Sequence, residues 1–581
     1  MRLFFDIETN GVSDWIHLTD LKELFCIVAS VDGDEPKQYT LPQFKTLAAR
    51  ASQLIGHNII GFDLPALSLL CNFKPECKVI DTLLVSRLKY PDLRNDDFGR
   101  LNTGFPKDLV GSHSLKAWGH RLGVYKGDSP VFDKFTPEML EYCKQDVRVS
   151  ISIYSHLDVD SIHPEAVEIE HKFAKIIRGQ ERIGFPFDIP AAEKLHASLL
   201  KENLEIQQQM QAVFPPIVEE RVSEKTGKKL KPKVTEFNPG SRLQIAERLM
   251  AKYGWVPQEM TPDGRPRVDE AVLSKLPYPE AKLLERYLTV AKRLGQLADG
   301  ENAWLKLVKD GRLHGRVNTN GAVTGRCTHS VPNMAQVPTD PAYRSLFIPD
   351  QGKVLVGVDA SGLELRCLAH YLGRYDNGAY ARKVVSCDIH WENAKSFGLA
   401  PNSDQDKANP DHKTARNQSK GGIYALIYGA ADAKLGMVLG GDVKKGRKSR
   451  ANFMASVPAF AKLKEDVEKC VTKSGRLKGI DGRDLPIRSS HAALNTLLQS
   501  AGAVVMKKAC ILAHEAFESL SLDVEQVASV HDEYQFMCHQ SIADKVGKIV
   551  VQSIRDAGDY FNFRCPLDGE YRVGRNWAET H

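Results

Sequence analysis

Two aspartates, each near the end of an apolar run with β character, constrain this chain more than any other feature. The first closes Val354-Leu355-Val356-Gly357-Val358-Asp359, and the second sits in Val527-Ala528-Ser529-Val530-His531-Asp532-Glu533-Tyr534-Gln535-Phe536. A carboxylate at the end of a buried strand is costly to desolvate alone, so it faces a cleft or a cation. Two that converge would hold a pair of divalent metals, the arrangement used for in-line phosphoryl transfer. Taken singly, each reads as an ordinary strand-end residue capping a turn. The segment between them argues for convergence.

That segment runs Arg416-Asn417-Gln418-Ser419-Lys420-Gly421-Gly422-Ile423-Tyr424-Ala425-Leu426-Ile427-Tyr428-Gly429. Arg416, Lys420 and Tyr424 recur every four residues, so a helix places them on one face. Two cations followed by an aromatic ring suit a nucleoside triphosphate, with charge on the phosphates and a ring against sugar or base. A solvated basic face is the plainer reading of Arg416 and Lys420 alone; Tyr428-Gly429 in register weighs against it.

Asp359-Ala360-Ser361-Gly362-Leu363-Glu364-Leu365-Arg366, the Arg416/Lys420/Tyr428-Gly429 stretch and His531-Asp532-Glu533 together resemble, in order, the three polymerase motifs of family A DNA polymerases. The resemblance is strongest to the short replicative polymerases of T-odd bacteriophages. It covers nearly the whole chain, including Asp388-Ile389-His390, the run from His491 to Ser500, and Asn576-Trp577-Ala578. It implies that Asp359 and Asp532 bind two metals with the Ala360 carbonyl, and that Glu533 and Lys420 belong to the catalytic set. Arg416, Lys420 and His390 would hold the triphosphate. Tyr424 would lie beside the incoming sugar, as goes with acceptance of dideoxynucleotides, and Tyr428 nearer the templating base. Glu364 would exclude a 2'-hydroxyl. Arg326, in Thr324-Gly325-Arg326, together with Gln499 and His531, would contact DNA. Gly421-Gly422 departs from the pattern. Two helix-interior glycines cost about 2 kcal/mol relative to alanine, which predicts a mobile helix and looser nucleotide selection, reversible by larger residues.

A second set of carboxylates opens the chain. Leu3-Phe4-Phe5-Asp6-Ile7-Glu8-Thr9 reads as a strand, with Asp6 and Glu8 on the same side. His57-Asn58, Phe62-Asp63 and Tyr142-Cys143-Lys144-Gln145-Asp146 follow. Asp6, Glu8, Asp63 and Asp146 can hold two metals, with Tyr142 orienting a water for phosphodiester hydrolysis. This set resembles the DEDDy class of 3'-5' exonucleases, with Asp81-Thr82 and Ser112-His113-Ser114-Leu115 fitting the same pattern, and it implies active proofreading.

At 581 residues the chain has room for roughly three to four domains. A net charge of only +5 puts nucleic-acid binding in local basic clefts rather than in bulk charge. No apolar run approaches the roughly 20 residues that span a bilayer, the first strand leaves no room for a leader, and eleven cysteines without a Cys-x-x-Cys pair suggest reduced thiols. The expected fold is multidomain α/β and α+β: an RNase H-like exonuclease over 1–160, thumb and connecting helices over 161–310, palm over 311–390 and 479–581, and fingers over 391–478. Expected partners are primer-template DNA, dNTPs and Mg2+ (two per active site, with Mn2+ able to substitute). The family resemblance adds a replicative helicase-primase, a single-stranded DNA-binding protein and the cytoplasm of an infected bacterium. A single-subunit RNA polymerase shares paired aspartates, but Glu364 and the amino-terminal carboxylates tell against it. Phage relatives can carry a long thumb insertion that recruits thioredoxin. Here the corresponding stretch, Pro215 to Glu236, is short, so thioredoxin is not carried over as a partner; its lysines either cradle duplex DNA or form a solvated loop.

Overall fold

Alternation along Arg2–Thr9 sends Phe5 to one face of a sheet and Phe4, Asp6 and Glu8 to the other. In the structure, a computed structural model that describes residues 1–581 except 15, 128–130, 224 and 226, this strand is central. The sheet order is Lys37–Tyr39, Leu24–Val31, Arg2–Thr9, Gln53–Gly56, Lys78–Asp81, antiparallel on the first side of the centre and parallel on the other. Phe5 packs on Phe44 at 5.2 Å between ring centroids. Phe4 meets Tyr154 edge-on at 5.3 Å, because the helix Pro137–Leu157 covers that face. This helix therefore brings Tyr142, Cys143 and Asp146 toward Asp6 and Glu8.

A second sheet lies near the carboxyl end, in the order Val524–Val530, Glu533–His539, Lys353–Ala360, Gly569–Gly574, antiparallel throughout. The run expected as one β segment around Asp532 is a hairpin: His531 takes a left-handed φ of 58° at the tip, and Glu533 starts the return strand. Asp359 pairs in register with Glu533, and the Ala360 N–H donates to the Asp532 carbonyl at 3.1 Å. Two distant sequence segments are thereby tied together at their acidic ends. Gly357 is needed in the middle strand, since a Cβ there would strike the Thr580 carbonyl and the Gln535 amide.

Behind this sheet runs the helix Ala493–Ser519. It corrects the expectation about apolar runs: the span Ser490–Ser519 is apolar and long enough to cross a bilayer, yet 72% of its most apolar window is buried inside the protein. It is a core helix, apolar on nearly all sides because it is surrounded. It also carries Lys507 into a buried ionic cluster. Lys507 Nζ lies 2.6 Å from Glu170 Oε1, Arg483 reaches the same oxygen at 2.8 Å, and Arg483 also pairs with Asp481 at 2.6 Å. The cluster joins the helix Pro164–Ile183, the ribbon Arg476–Lys478/Asp484–Pro486 and the core helix.

The chain forms two compact units, divided differently from the expected scheme. One comprises 1–184, 315–336 and 349–581; the other comprises 185–314 and 337–348. Residues 161–184 thus go with the sheets, because Pro164–Ile183 supplies Glu170 to the ionic cluster and Ile169, Phe173 and Ile177 to the core. The second unit holds the long helices Ile189–Val213 and Pro279–Leu294 around an aromatic nest of Phe185, Phe187, Trp304 and Phe347. Its lysine-rich stretch is an exposed two-stranded ribbon, Ile217–Val222 with Lys229–Thr235; Glu224 and Thr226 lie outside the described residues.

Gly421 and Gly422 also depart from expectation. They lie within the helix Pro410–Ile427, and a methyl on Gly422 would come within 2.6 Å of Leu439 and 3.2 Å of the Phe397 ring. One on Gly421 would come within 2.8 Å of Val438. These glycines permit close packing, so larger residues would push the helix out of place. Gly422→Ala is expected to destabilise by about 1–3 kcal/mol through overpacking. Gly179→Ala, in a helix with open space around the position, is expected to gain up to about 1 kcal/mol. Thermal denaturation of the two variants checks this; a more stable Gly422→Ala protein would contradict the packing argument.

Candidate active sites

At the carboxyl-terminal sheet, Asp359 is exposed at its strand end, and its pKa is pushed up to about 7 by partial burial and by the charges of Asp532, Glu533 and Glu570. Like charges concentrated without a cation are what a divalent-metal site looks like before its ions arrive. Asp359 and Asp532, with the adjoining Ala360 carbonyl, therefore fit such ions. Glu533 does not join them. It is 5% exposed, and its Oε1 accepts from Trp577 Nε1 at 2.5 Å and from Gln535 Nε2 at 2.7 Å. Its Oε2 lies 2.9 Å from His581 Nδ1. These bonds tie the last residues of the chain to the hairpin that bears Asp532, while the Glu533 charge still bears on Asp359. Trp577 lay inside a quoted motif, yet sequence gave no sign that it, Gln535 and His581 would meet on one carboxylate.

The helix Pro410–Ile427 reaches this pair through Tyr424, which lies in the field of the Asp532 carboxylate. Arg416 Nε donates to Asp388 Oδ2 at 2.5 Å. Asp388 in turn caps the helix Ile389–Phe397 through the His390 and Trp391 N–H groups, at 3.0 and 3.2 Å. The charges of Arg416 and Lys420 both bear on His390, which with burial holds that imidazole below its usual pKa. Arg416, Lys420 and a neutral His390 thus gather in one place. Tyr424 and Tyr428 follow with rings 6.3 Å apart. The Tyr428 hydroxyl donates to Glu364 Oε2 at 3.3 Å, while Glu364 Oε1 is buried without a hydrogen-bond partner. Burial raises the Glu364 pKa, and the nearby Arg326 charge opposes the rise. Arg326, His531 and Asp532 line one small cavity of about 40 Å³. Gln499 sits half-buried on the core helix and does not line that cavity.

At the amino-terminal sheet, Asp6, Glu8, Asp63, Tyr142 and Asp146 line one cavity of about 300 Å³. The Ile7 N–H donates to Asp63 Oδ1 at 3.3 Å, which draws the start of the helix Asp63–Cys71 onto the strand. Burial and mutual repulsion push Glu8 up to about 9 and raise Asp6 well above its ordinary value; burial raises Asp63 to about 7 and Asp146 to about 6. Asp81 stays out of this group. Its carboxylate accepts from the N–H groups of Asn58, Ile60 and Leu83 at 2.8, 3.0 and 3.0 Å, and so shapes the loop that delivers Asp63. His113 meets Ser86 at 2.9 Å, with burial lowering its pKa to about 3, and Ser114 caps the next helix. One residue that sequence reasoning missed is Lys126, 2.5 Å from Asp146 Oδ2 and 4.6 Å from the centre of the Tyr142 ring. It lies in a loop with no pattern to mark it. Four clustered carboxylates with a single lysine among them fit divalent ions here as well.

A mixed α/β architecture with paired acidic strand ends and a flanking cationic helix is that of a nucleotide-polymerising fold. Residues 207–579 match the family model of DNA polymerase family A. The DNA-directed DNA polymerase of Enterobacteria phage T3 is 33% identical, covering 92% of this chain and 93% of that protein. That of Escherichia phage T7 is 34% identical over the same shares. Among solved structures, the POL domain of Pol1 from M. smegmatis, in complex with DNA primer-template and dNTP, superposes with a TM-score of 0.78 over 99% of this chain and 96% of its own. At 17% identity that likeness speaks to the fold alone. The chain belongs to DNA polymerase family A.

The raised carboxylates set the sign of a pH effect. Their folded pKa values lie above the ordinary carboxylate range, so between the two the native state binds more protons than the unfolded chain. Their contribution therefore favours folding at low pH and is lost as pH climbs from the ordinary carboxylate range of about 4 to each folded value, about 6 to 9. Without divalent ions, the thermal midpoint of wild type is expected to fall over that window more steeply than that of Asp359→Asn. Added Ca2+ should raise it more at about pH 8 than at about pH 5.5. Equal metal stabilisation at both pH values would contradict the assignment.

Proposed function

We propose that this chain is a template-directed DNA polymerase that extends a primer with dNTPs, and that its amino-terminal part removes nucleotides from a 3' end. The observation that carries the polymerase reading is the tie between Ala360 and the Asp532 carbonyl, which sets two acidic strand ends side by side, with Tyr424 of Pro410–Ile427 in the field of Asp532. Asp359, Asp532 and the Ala360 carbonyl would hold two Mg2+ ions, with Mn2+ able to substitute. Such ions supply charge stabilisation at phosphoryl oxygens and a more acidic bound hydroxyl.

The side chains do the rest. Arg416, Lys420 and His390 neutralise the triphosphate, with Arg416 exchanging its bond to Asp388 for one to phosphate. Lys420, exposed on the same helix face, stands nearest in kind to a proton donor for the leaving pyrophosphate. Tyr424 packs on the incoming sugar. Glu364, steadied by Tyr428, closes the space a 2'-hydroxyl would need. Arg326, His531 and Gln499 serve primer and template, with the Gln499 amide suited to minor-groove edges. In this scheme the sheet of Lys353–Ala360 is the palm, 391–478 the fingers and the second unit the thumb.

For the amino-terminal site, Asp6, Glu8, Asp63 and Asp146 would hold two metal ions, and Tyr142 would orient the attacking water. The cavity they line and their raised pKa values support the reading. The phage relatives support a role in phage genome replication inside an infected bacterium; a helicase-primase and a single-stranded DNA-binding protein would be its partners there.

The test is a labelled primer on a longer template with Mg2+. Wild type is expected to extend it with dNTPs and shorten it without them. Asp359→Ala should lose extension by more than about 10²-fold while still shortening, and Asp6→Ala the reverse. Loss of both activities in either variant would contradict two separate sites.

A further inference from the structure

Next to the amino-terminal cavity, in the apolar cluster behind its lining, lies a donor that an all-oxygen metal site does not need. Cys143 follows Tyr142 on the helix Pro137–Leu157, is fully buried, and places its Sγ 3.5 Å from Asp6 Oδ2. Ligand atoms of Asp6, Glu8 and Cys143 all lie within 4.8 Å of one another. Glu8 is 7% exposed, and among the described residues its carboxylate has no hydrogen-bond or ion-pair partner. A carboxylate buried that far without a partner calls for a cation. Lys126 does not serve as its direct partner, since it is engaged with Asp146. Cys26, opposite Glu8 in the sheet, hydrogen-bonds with Cys143 from behind and fixes its direction.

We propose that Asp6, Glu8 and Cys143 form a site for a thiophilic divalent cation of the zinc class. This deepens, and rests on, the reading of the cavity as a metal site for strand shortening. Sulfur with two carboxylate oxygens suits a zinc-class ion better than Mg2+, which takes oxygen donors and keeps its waters. On binding, the Cys143 thiol releases its proton to solvent and its sulfur bonds to the ion. Two carboxylates, one thiolate and a dication leave one net negative charge, in the field of Lys126. Because the ion takes Asp6 and Glu8 from the hard cations, it is an inhibitor of shortening that leaves the distant Asp359 site alone.

Cd2+ is the probe, since a thiolate bound to it absorbs in the ultraviolet. The full chain carrying Cys387→Ser and Cys470→Ser, which removes the two exposed thiols, is titrated with Cd2+. The expected result is a charge-transfer band that saturates at one equivalent and is competed by Zn2+. It should be lost in Cys143→Ser, and also in Glu8→Gln, which keeps every buried thiol. Circular dichroism melts confirm that both variants are folded. No band, or a band that survives either variant, overturns the proposal. Mg2+-dependent shortening of a single-stranded oligonucleotide is measured on the same titrated protein. Shortening without a band keeps the nuclease reading and defeats this one, whereas a band without shortening upholds this one and defeats the nuclease reading.

Discussion

Carboxylates gathered without enough cations to neutralise them are the constraint on which the rest of this structure depends. The chain builds two such clusters, one on each sheet, and both hold their acids well above ordinary pKa values. A fold chosen for stability alone would disperse them. Here the backbone concentrates them: Asp359 by strand pairing, Asp532 by a tight hairpin, and Asp63 by a loop moulded on Asp81. The cost falls on the apo protein and is returned when ions bind.

What keeps these clusters in place is an outer ring of hydrogen-bonded and packing groups. Glu533 belongs to that ring. It is adjacent to Asp532 in sequence, yet both its oxygens are spent on the chain's last residues, and Gly357 clears space for that same segment. The Glu170, Arg483, Asp481 and Lys507 cluster does comparable work, joining helices from opposite ends of the sequence through charges that are almost wholly out of water. Removing one member would strand the others, which is why such networks break at high cost.

Much of this was legible in the sequence. Strand alternation placed Asp6 with Glu8, fourfold spacing placed Arg416, Lys420 and Tyr424 on one helix face, and motif order gave the family. Less could be read where partners are remote. Nothing local marked Lys126 as the counter-charge of Asp146, or Trp577 and His581 as anchors of Glu533. The glycine pair misled because helix propensity counts backbone entropy and ignores what packs alongside; Phe397 and Leu439 decide the matter. Residues 161–184 were misassigned for a similar reason, since their partners lie far along the chain in the core helix.

The central claim is that the cation-poor carboxylates are metal ligands, whereas the braced Glu533 is not. Anomalous diffraction from crystals grown with Mn2+, primer-template and a non-hydrolysable dNTP tests it most directly. The account predicts manganese peaks between Asp359 and Asp532, and separately among Asp6, Glu8, Asp63 and Asp146, with Glu533 still bonded to Trp577. Manganese bound to Glu533, or none beside Asp359, would contradict it.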